Sequence, residues 1–489
     1  MWITIGIVVG VLALVVVYDL VQTKHAILRN FPVIGHFRYL LEMIGPELRQ
    51  YIVTSNDEER PFSRDHRTWV YASSKQQNNY FGFGTDNDLE TAKDYIILKH
   101  SAQPTHEPLK GDDDYDSNHS VACSKVMGGA RNRPSAFTPE SIFYISAMSY
   151  GSLSSAAVTA INRGVAHAGG LHNTGEGGVA PYHDNGGDLI WQLGTGYYGA
   201  RNADGGLDMG KLVECAKAHR VRAIEIKLSQ GAKPGRGGVL PGAKVTPEIA
   251  AIRGVPVGKD VISPAYHAEF RGPDEMLDFV ERVAEVTGLP VGIKSAVGES
   301  QFWVDLADLM AKGDRGVDYI AIDGGEGGTG AAPLVFSDHV SLPFKMGFAR
   351  VYNIFLERGV ADDIVWMGSG RLGFPIQALF AMAMGCDMIG MAREAMLSVG
   401  CIQAQRCHTG HCPTGVATQN KWLMRGLDPN DKGARLANYL VTLRKEVMWL
   451  TRAAGCSHPS ELTLEHFELL DGLHTTKNPR ELFRYPPAA

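Results

Sequence analysis

The sequence predicts an α/β chain whose body closes into a barrel of eight parallel strands, behind a membrane-spanning helix and an extra N-terminal segment. From about residue 140 short β-rich runs alternate with helical stretches, the signature of a parallel α/β fold. Eight such pairs fill about 260 residues, which suits a closed barrel better than an open sheet. The open dinucleotide-binding arrangement is further disfavoured because Ala147-Met148-Ser149-Tyr150-Gly151, and not a G-x-G-x-x-G turn, follows the first strand.

Met1 to Tyr18 carries no charge and is almost all Ile, Val, Leu and Gly. At about 1.5 Å per residue, residues 1–18 reach roughly 27 Å, the thickness of a hydrocarbon layer. No basic stretch precedes the run and no small-x-small cleavage site follows it, so it reads as an anchor and not as a signal peptide. Lys24, Arg29 and Arg38 lie just after it, which predicts a single-pass membrane protein with its catalytic body in the cytoplasm. Residues 19–135 form an extension with an acidic turn at Asp57 to Glu59, a polar, glycine-rich stretch from Tyr80 to Asp88, and a solvated acidic run from Asp112 to Asp116. Its Phe31 and Tyr39 to Ile44 have two expected places, the membrane surface or the barrel.

The barrel occupies residues 136–425. Strands are expected at Ile142 to Ala147, Leu171 to Thr174, Leu189 to Leu193, Ala223 to Leu228, Val291 to Ser295, Tyr319 to Ile322, Ile364 to Met367 and Met388 to Gly390, with helices such as Leu153 to Ala168, Pro273 to Thr287 and Pro375 to Met384 between them. Residues 426–489 make a helical C-terminal segment, in which Leu436, Tyr439, Leu440, Leu443, Val447 and Leu450 recur at helical spacing as a packing face.

Barrels keep their chemistry on the loops at the carboxyl ends of the strands. Four of these loops are rich in glycine: Asn173 to Gly178, Lys227 to Gly235, Lys294 to Gly298 and Asp323 to Gly330. Glycine lets backbone amides approach a flat, anionic cofactor, which favours a cofactor site over mere flexible turns. After the last two strands come Gly368-Ser369-Gly370-Arg371 and Gly390-Met391-Ala392-Arg393, where barrels commonly bind phosphate and where each arginine adds charge-assisted pairing.

Cys401, Cys407 and Cys412 then crowd into twelve residues and are followed by Pro413. Three closely spaced thiolates suit an incomplete iron-sulfur cluster. The alternatives are a zinc site from Cys407, His408, His411 and Cys412, or three buried thiols. The other cysteines, at 123, 215, 386 and 456, show no paired spacing, so a disulfide framework is not expected and a reducing compartment is. A phosphate-bearing flat cofactor beside an iron-sulfur cluster points to FMN, which converts single-electron traffic into hydride chemistry. The composition, 44% apolar with a net charge of −6, provides a large core and no basic face for nucleic acid.

Over roughly residues 140–425 the chain resembles the flavin-binding synthase domain of glutamate synthase. The matching residues are Ala147 to Ser152, Asn173 to Gly178, Ser229 to Gly235, Gly327 to Ala331, and Cys401, Cys407 and Cys412 with the run Pro413 to Gln419. The resemblance implies a TIM barrel with FMN at its mouth and a 3Fe-4S cluster on the three cysteines. It implies that electrons from a separate donor protein or reductase pass through the cluster to the flavin and then as a hydride to 2-iminoglutarate, giving L-glutamate. On it, Ala147, Met148, Ser149, Gln192 and Lys294 are expected at the flavin ring, and Gly328, Gly368, Ser369, Gly370, Arg371, Gly390 and Arg393 around the cofactor and its phosphate. Glu176 and Lys294 are the expected catalytic residues, and Lys227, Gln230 and Lys233 the expected contacts to 2-oxoglutarate, with an ion pair inside the barrel as the alternative for Lys227.

The departures set the alternatives. No cysteine precedes Cys123, so release of ammonia from glutamine by an N-terminal cysteine is not expected, and about 60 residues after Trp422 leave no room for the family's β-helix domain. Arg236 stands where the large enzymes are usually acidic. The nitrogen source is therefore ammonia or a small amine, as in the related N-methylglutamate synthases. The rival classes are a membrane-tethered flavin and iron-sulfur electron carrier and a different FMN barrel oxidoreductase.

Overall fold

The computed structural model describes residues 2–56, 58–80, 82–113 and 115–487. Met1 of the expected anchor, Asp57 of the acidic turn, Phe81 of the polar stretch and Asp114 of the acidic run lie outside the described residues. The chain divides into two compact units, Met1–Arg67 and Thr68–Ala489, with the boundary inside the helix Arg64–Ser74.

The first unit opens with a helix of 20 residues, α1 (Trp2–Val21), three residues longer at its C-terminal end than the expected anchor. Its mean hydropathy of 2.5 and its length are sufficient to cross a membrane. After a short helix at Ala26–Asn30 comes a longer one, α2 (Gly35–Leu48), which continues into a π-helical turn at Arg49–Val53. Arg67 and Glu59 form a buried ion pair in the same unit.

In the second unit, eight parallel strands close into a barrel. They are β1 (Phe143–Ile145), β2 (Leu171–Asn173), β3 (Asp188–Leu193), β4 (Val221–Lys227), β5 (Val291–Ser295), β6 (Tyr319–Asp323), β7 (Val365–Ser369) and β8 (Met388–Met391). Each is paired with its sequence neighbour, and β8 closes on β1 through Gly390 opposite Tyr144. Every expected strand is present in its expected order. The strands are buried along nearly their whole length because helices cover the outside while Tyr144, Ile190, Tyr319, Met367 and Met388 help fill the inside.

Helix α3 (Ser155–Ala168) follows β1, capped by the Ser154 hydroxyl, which accepts from the Ala157 N–H. The C-terminal segment supplies α4 (Pro429–Ala453), capped by Asp428 with proline at its first position, and α4 packs on α3. Gly164 makes this close approach possible, since a Cβ there would stand 2.7 Å from Leu436 Cβ. On α4, Leu436, Tyr439, Leu440, Leu443 and Val447 are buried and Leu450 is half-buried, so the helical repeat read from the sequence marks the packed face. A strand not expected from the sequence, Lys93–Leu98, runs antiparallel to Phe467–Asp471 and joins the extension to the C-terminal segment. Between β4 and its helix (Gly272–Thr287) the chain makes a long excursion, carrying the short ribbon Val239–Leu240 with Val261–Ile262 and the helix Pro247–Arg253.

Candidate active site

The carboxyl ends of the strands surround one cavity of about 380 Å3. Ser146 and the turn Ala147, Met148 and Ser149 come from the end of β1, Glu176 from the loop after β2, and Gln192 from β3. Lys227, Gln230 and Lys233 follow from β4 and its loop, Lys294 from β5, and Asp323 and Gly328 from β6 and its loop. Ser369, Gly370 and Arg371 at β7 and Gly390 and Arg393 at β8 complete the ring. Gly368, expected with them, does not line the cavity. Alternation along β7 turns it the other way, and a Cβ there would strike Phe344 and Cys386.

One side of the floor is an ion-pair cluster. Lys227 Nζ donates to Glu176 Oε1 at 2.7 Å and to Gln230 Oε1 at 2.6 Å. Burial pushes the Glu176 carboxyl up, but Lys227, Lys233 and Arg253 outweigh it and hold the group below the usual carboxylate range. Lys233 is 3% exposed and donates to the Gly237 carbonyl at 3.1 Å. Burial, followed by repulsion from Lys227, lowers its pKa to about 8. His267 props this group from behind, with Nε2 2.9 Å from the Lys227 carbonyl and Nδ1 3.0 Å from the Tyr197 hydroxyl.

The opposite side is organised by Asp323. Its Oδ1 accepts from Ser369 Oγ at 2.6 Å, and its Oδ2 accepts from the Gly231 N–H at 2.8 Å and lies 3.8 Å from Lys294 Nζ. Lys294 Nζ also donates to Ser146 Oγ at 3.3 Å. The Gly231 contact requires glycine, because a Cβ would fall on the Gly324 carbonyl oxygen. Gly231→Ala is therefore expected to destabilise the protein by about 1–3 kcal/mol, read as a lower midpoint of urea unfolding. Beneath the cavity, Gln192 Nε2 and Asn173 Nδ2 both donate to Glu225 Oε1, at 2.6 and 2.8 Å. Burial raises the Glu225 carboxyl above its ordinary value.

At the ends of β7 and β8, Arg393 donates to the Glu326 carbonyl and Arg371 holds φ at +57°, a left-handed conformation costly for a residue with a side chain.

The cysteine loop borders the same cavity through Gln405, Cys407 and His408, while Cys401 and Cys412 lie off its wall. Lys244, from the excursion after β4, lines the cavity and donates to the Cys407 carbonyl at 3.0 Å. Burial raises the Cys407 thiol, and Cys412 adds to this. Burial acts the same way on Cys412, but the N–H groups of Ala417, Thr414 and Val416 and the Thr414 hydroxyl overcome it and hold that thiol below its ordinary value. Amides converging on one sulfur beside a lysine fit a thiolate that ligates iron. The Cys401 carbonyl accepts from the Tyr71 hydroxyl at 2.8 Å. Among the described residues no three His, Cys, Asp or Glu side chains gather at the spacing of a metal site.

Ser146, Asp323 and Lys244 on the wall and Glu225 beneath it were missed by sequence reasoning. Ser146 was next to last in an expected strand and Asp323 stood directly after another, so both were readable from alternation; Lys244 and Glu225 carried no local signal.

The description "conserved region in glutamate synthase" matches residues 115–457. The glutamate synthase large subunit-like protein YerD of Bacillus subtilis (strain 168) is 37% identical over 496 residues, covering 94% of each chain. The archaeal glutamate synthase (NADPH) of Methanocaldococcus jannaschii is 38% identical over 319 residues, 64% of this chain and 58% of that protein. A solved flavocytochrome b2 variant with benzoylformate superposes with a TM-score of 0.47 at 14% identity, over 92% of this chain and 97% of that one.

Proposed function

The chain belongs to the glutamate synthase family and is an oxidoreductase of that type, and from that premise we propose that it carries out reductive amination of 2-oxoglutarate to L-glutamate at the mouth of its barrel. Condensation of the keto acid with ammonia releases water and gives 2-iminoglutarate, and a hydride and a proton complete the amino acid. When bound, FMN would supply the hydride, and a 3Fe-4S cluster on Cys401, Cys407 and Cys412 would supply one-electron exchange with a separate donor protein or reductase.

The observation that carries this reading is the sharing of one cavity by Cys407, by Arg371 and Arg393, and by the half-buried Lys227–Glu176 pair. Ala147, Met148, Ser149 and Gln192 take the flavin ring, and Gln192 is held in place by Glu225. Gly328, Ser369, Gly370, Arg371, Gly390 and Arg393 take the phosphate end. Lys294 would supply a preorganised cation for charge that develops on the bound flavin during reduction. Lys227, Gln230 and Lys233 bind the substrate carboxylates, and Glu176 aligns Lys227 and stays ionised at neutral pH. Helix α1 tethers the chain to a membrane, and the basic residues Lys24, Arg29 and Arg38 after it favour a cytoplasmic body.

Anaerobic protein supplied with 2-oxoglutarate, ammonium and a one-electron reductant is expected to form glutamate steadily. Flavin reduction without turnover would overturn the assignment and leave an electron carrier. Because Lys233 loses its proton near pH 8, its hold on an anion weakens as the pH rises through that value. KM for 2-oxoglutarate is expected to climb between about pH 7 and 9, and Lys233→Arg, charged throughout, is expected to flatten the climb.

A further inference from the structure

We propose that helix α2 and the turn after it lie in the plane of the membrane boundary, as an interfacial foot whose partner is a lipid surface. This rests on the reading that α1 crosses a bilayer, and adds to it a second, distinct mode of lipid contact. The connection between the two helices is specific. Asp19, in the last turn of α1, is fully buried, and its carboxylate accepts from the Val33 N–H at 2.9 Å and from His36 Nε2 at 3.0 Å. The chain between them doubles back, so the start of α2 is pinned to the end of the span and shares its depth.

The pattern on α2 suits that depth. Phe37, Leu40, Leu41, Ile44 and Leu48 follow the i, i+3, i+4, i+7, i+11 spacing, which gathers them within an arc of about 100°. All five are exposed, Phe37 at 67% and Leu41 at 59%. Arg38 and Glu42 are off this arc and form an i,i+4 ion pair at 2.9 Å. The apolar strip continues past the helix in Ile52 and Val53, both exposed. An apolar strip of this kind left in water would be an aggregation liability, whereas a bilayer boundary buries it by about 5–10 Å while the polar face stays among the headgroups. Charge agrees: residues 22–54 carry four basic side chains, Lys24, Arg29, Arg38 and Arg49, against the two acidic ones Glu42 and Glu47, which favours anionic headgroups.

The test uses the full chain in vesicles of phosphatidylcholine with a minor share of phosphatidylglycerol, with the photo-cross-linker p-benzoylphenylalanine at position 12, 41 or 42. The proposal expects lipid adducts from positions 12 and 41 and at least a fivefold lower yield from position 42. Adducts from position 12 but not 41, or a protein adduct from position 41, would overturn the interfacial foot and leave the anchor standing. No lipid adduct from either position 12 or position 41 would overturn both. A second measurement guards against misfolding: Phe37→Glu with Leu41→Glu is expected to leave flavin content unchanged while making the protein easier to extract from vesicles by mild detergent. Unchanged extraction would count against the proposal.

Discussion

Cys407→Ser is expected to yield a folded, flavin-containing protein that has lost its iron and forms glutamate at least about a hundredfold more slowly with a one-electron donor. The substitution changes one atom, and the contact that fixes this part of the loop, from Lys244 to the Cys407 carbonyl, is made to the backbone and survives it. A serine hydroxyl stays protonated where a thiolate ligand is needed. Far-ultraviolet circular dichroism and bound flavin should match the parent, while iron and donor-driven flavin reduction fall together. Iron and reduction rate both at parental levels would remove Cys407 from the metal site.

The second large effect is expected from Lys294→Met. Lys294 lies among Asp323, Ser146 and, beneath them, Glu225, whose carboxyl it pulls downward against the larger effect of burial. Removing the cation leaves buried acidic groups without their counter-charge, which costs about 3–5 kcal/mol of stability. It also removes the one preorganised cation assigned to the flavin ring, for which a loss of about 10²–10³ in kcat is expected. The double variant Lys294→Met with Asp323→Asn separates the two effects: stability should recover in urea unfolding while kcat stays low. Recovery of both would make Lys294 a structural residue of the barrel.

The barrel was legible because its strands are short apolar runs ended by glycine-rich loops, and both signals are local. Most of the cavity wall was legible for the same reason, since Glu176, Lys227, Lys233, Lys294 and Arg393 sit at or just past strand ends. Gly368 was grouped with its neighbours by position alone, although the two-residue alternation of β7 turns it toward Phe344 while Ser369 faces the cavity. Lys244 could not be read in this way. It meets Cys407 across 163 residues, and only the folded excursion after β4 brings them together. Glu225 was hidden inside a strand, where its partners Asn173 and Gln192 come from two other strands. The strand Lys93–Leu98 escaped notice because its partner lies near the other end of the chain.

The most direct test of the central claim, a flavin and an iron-sulfur cluster side by side at the barrel mouth, is combined absorption, flavin and iron analysis of anaerobically purified protein. Coloured protein is expected, with FMN and iron in fixed proportion and the flavin bleaching when a one-electron donor is added. Colourless protein free of iron, from cells able to build such clusters, would contradict it.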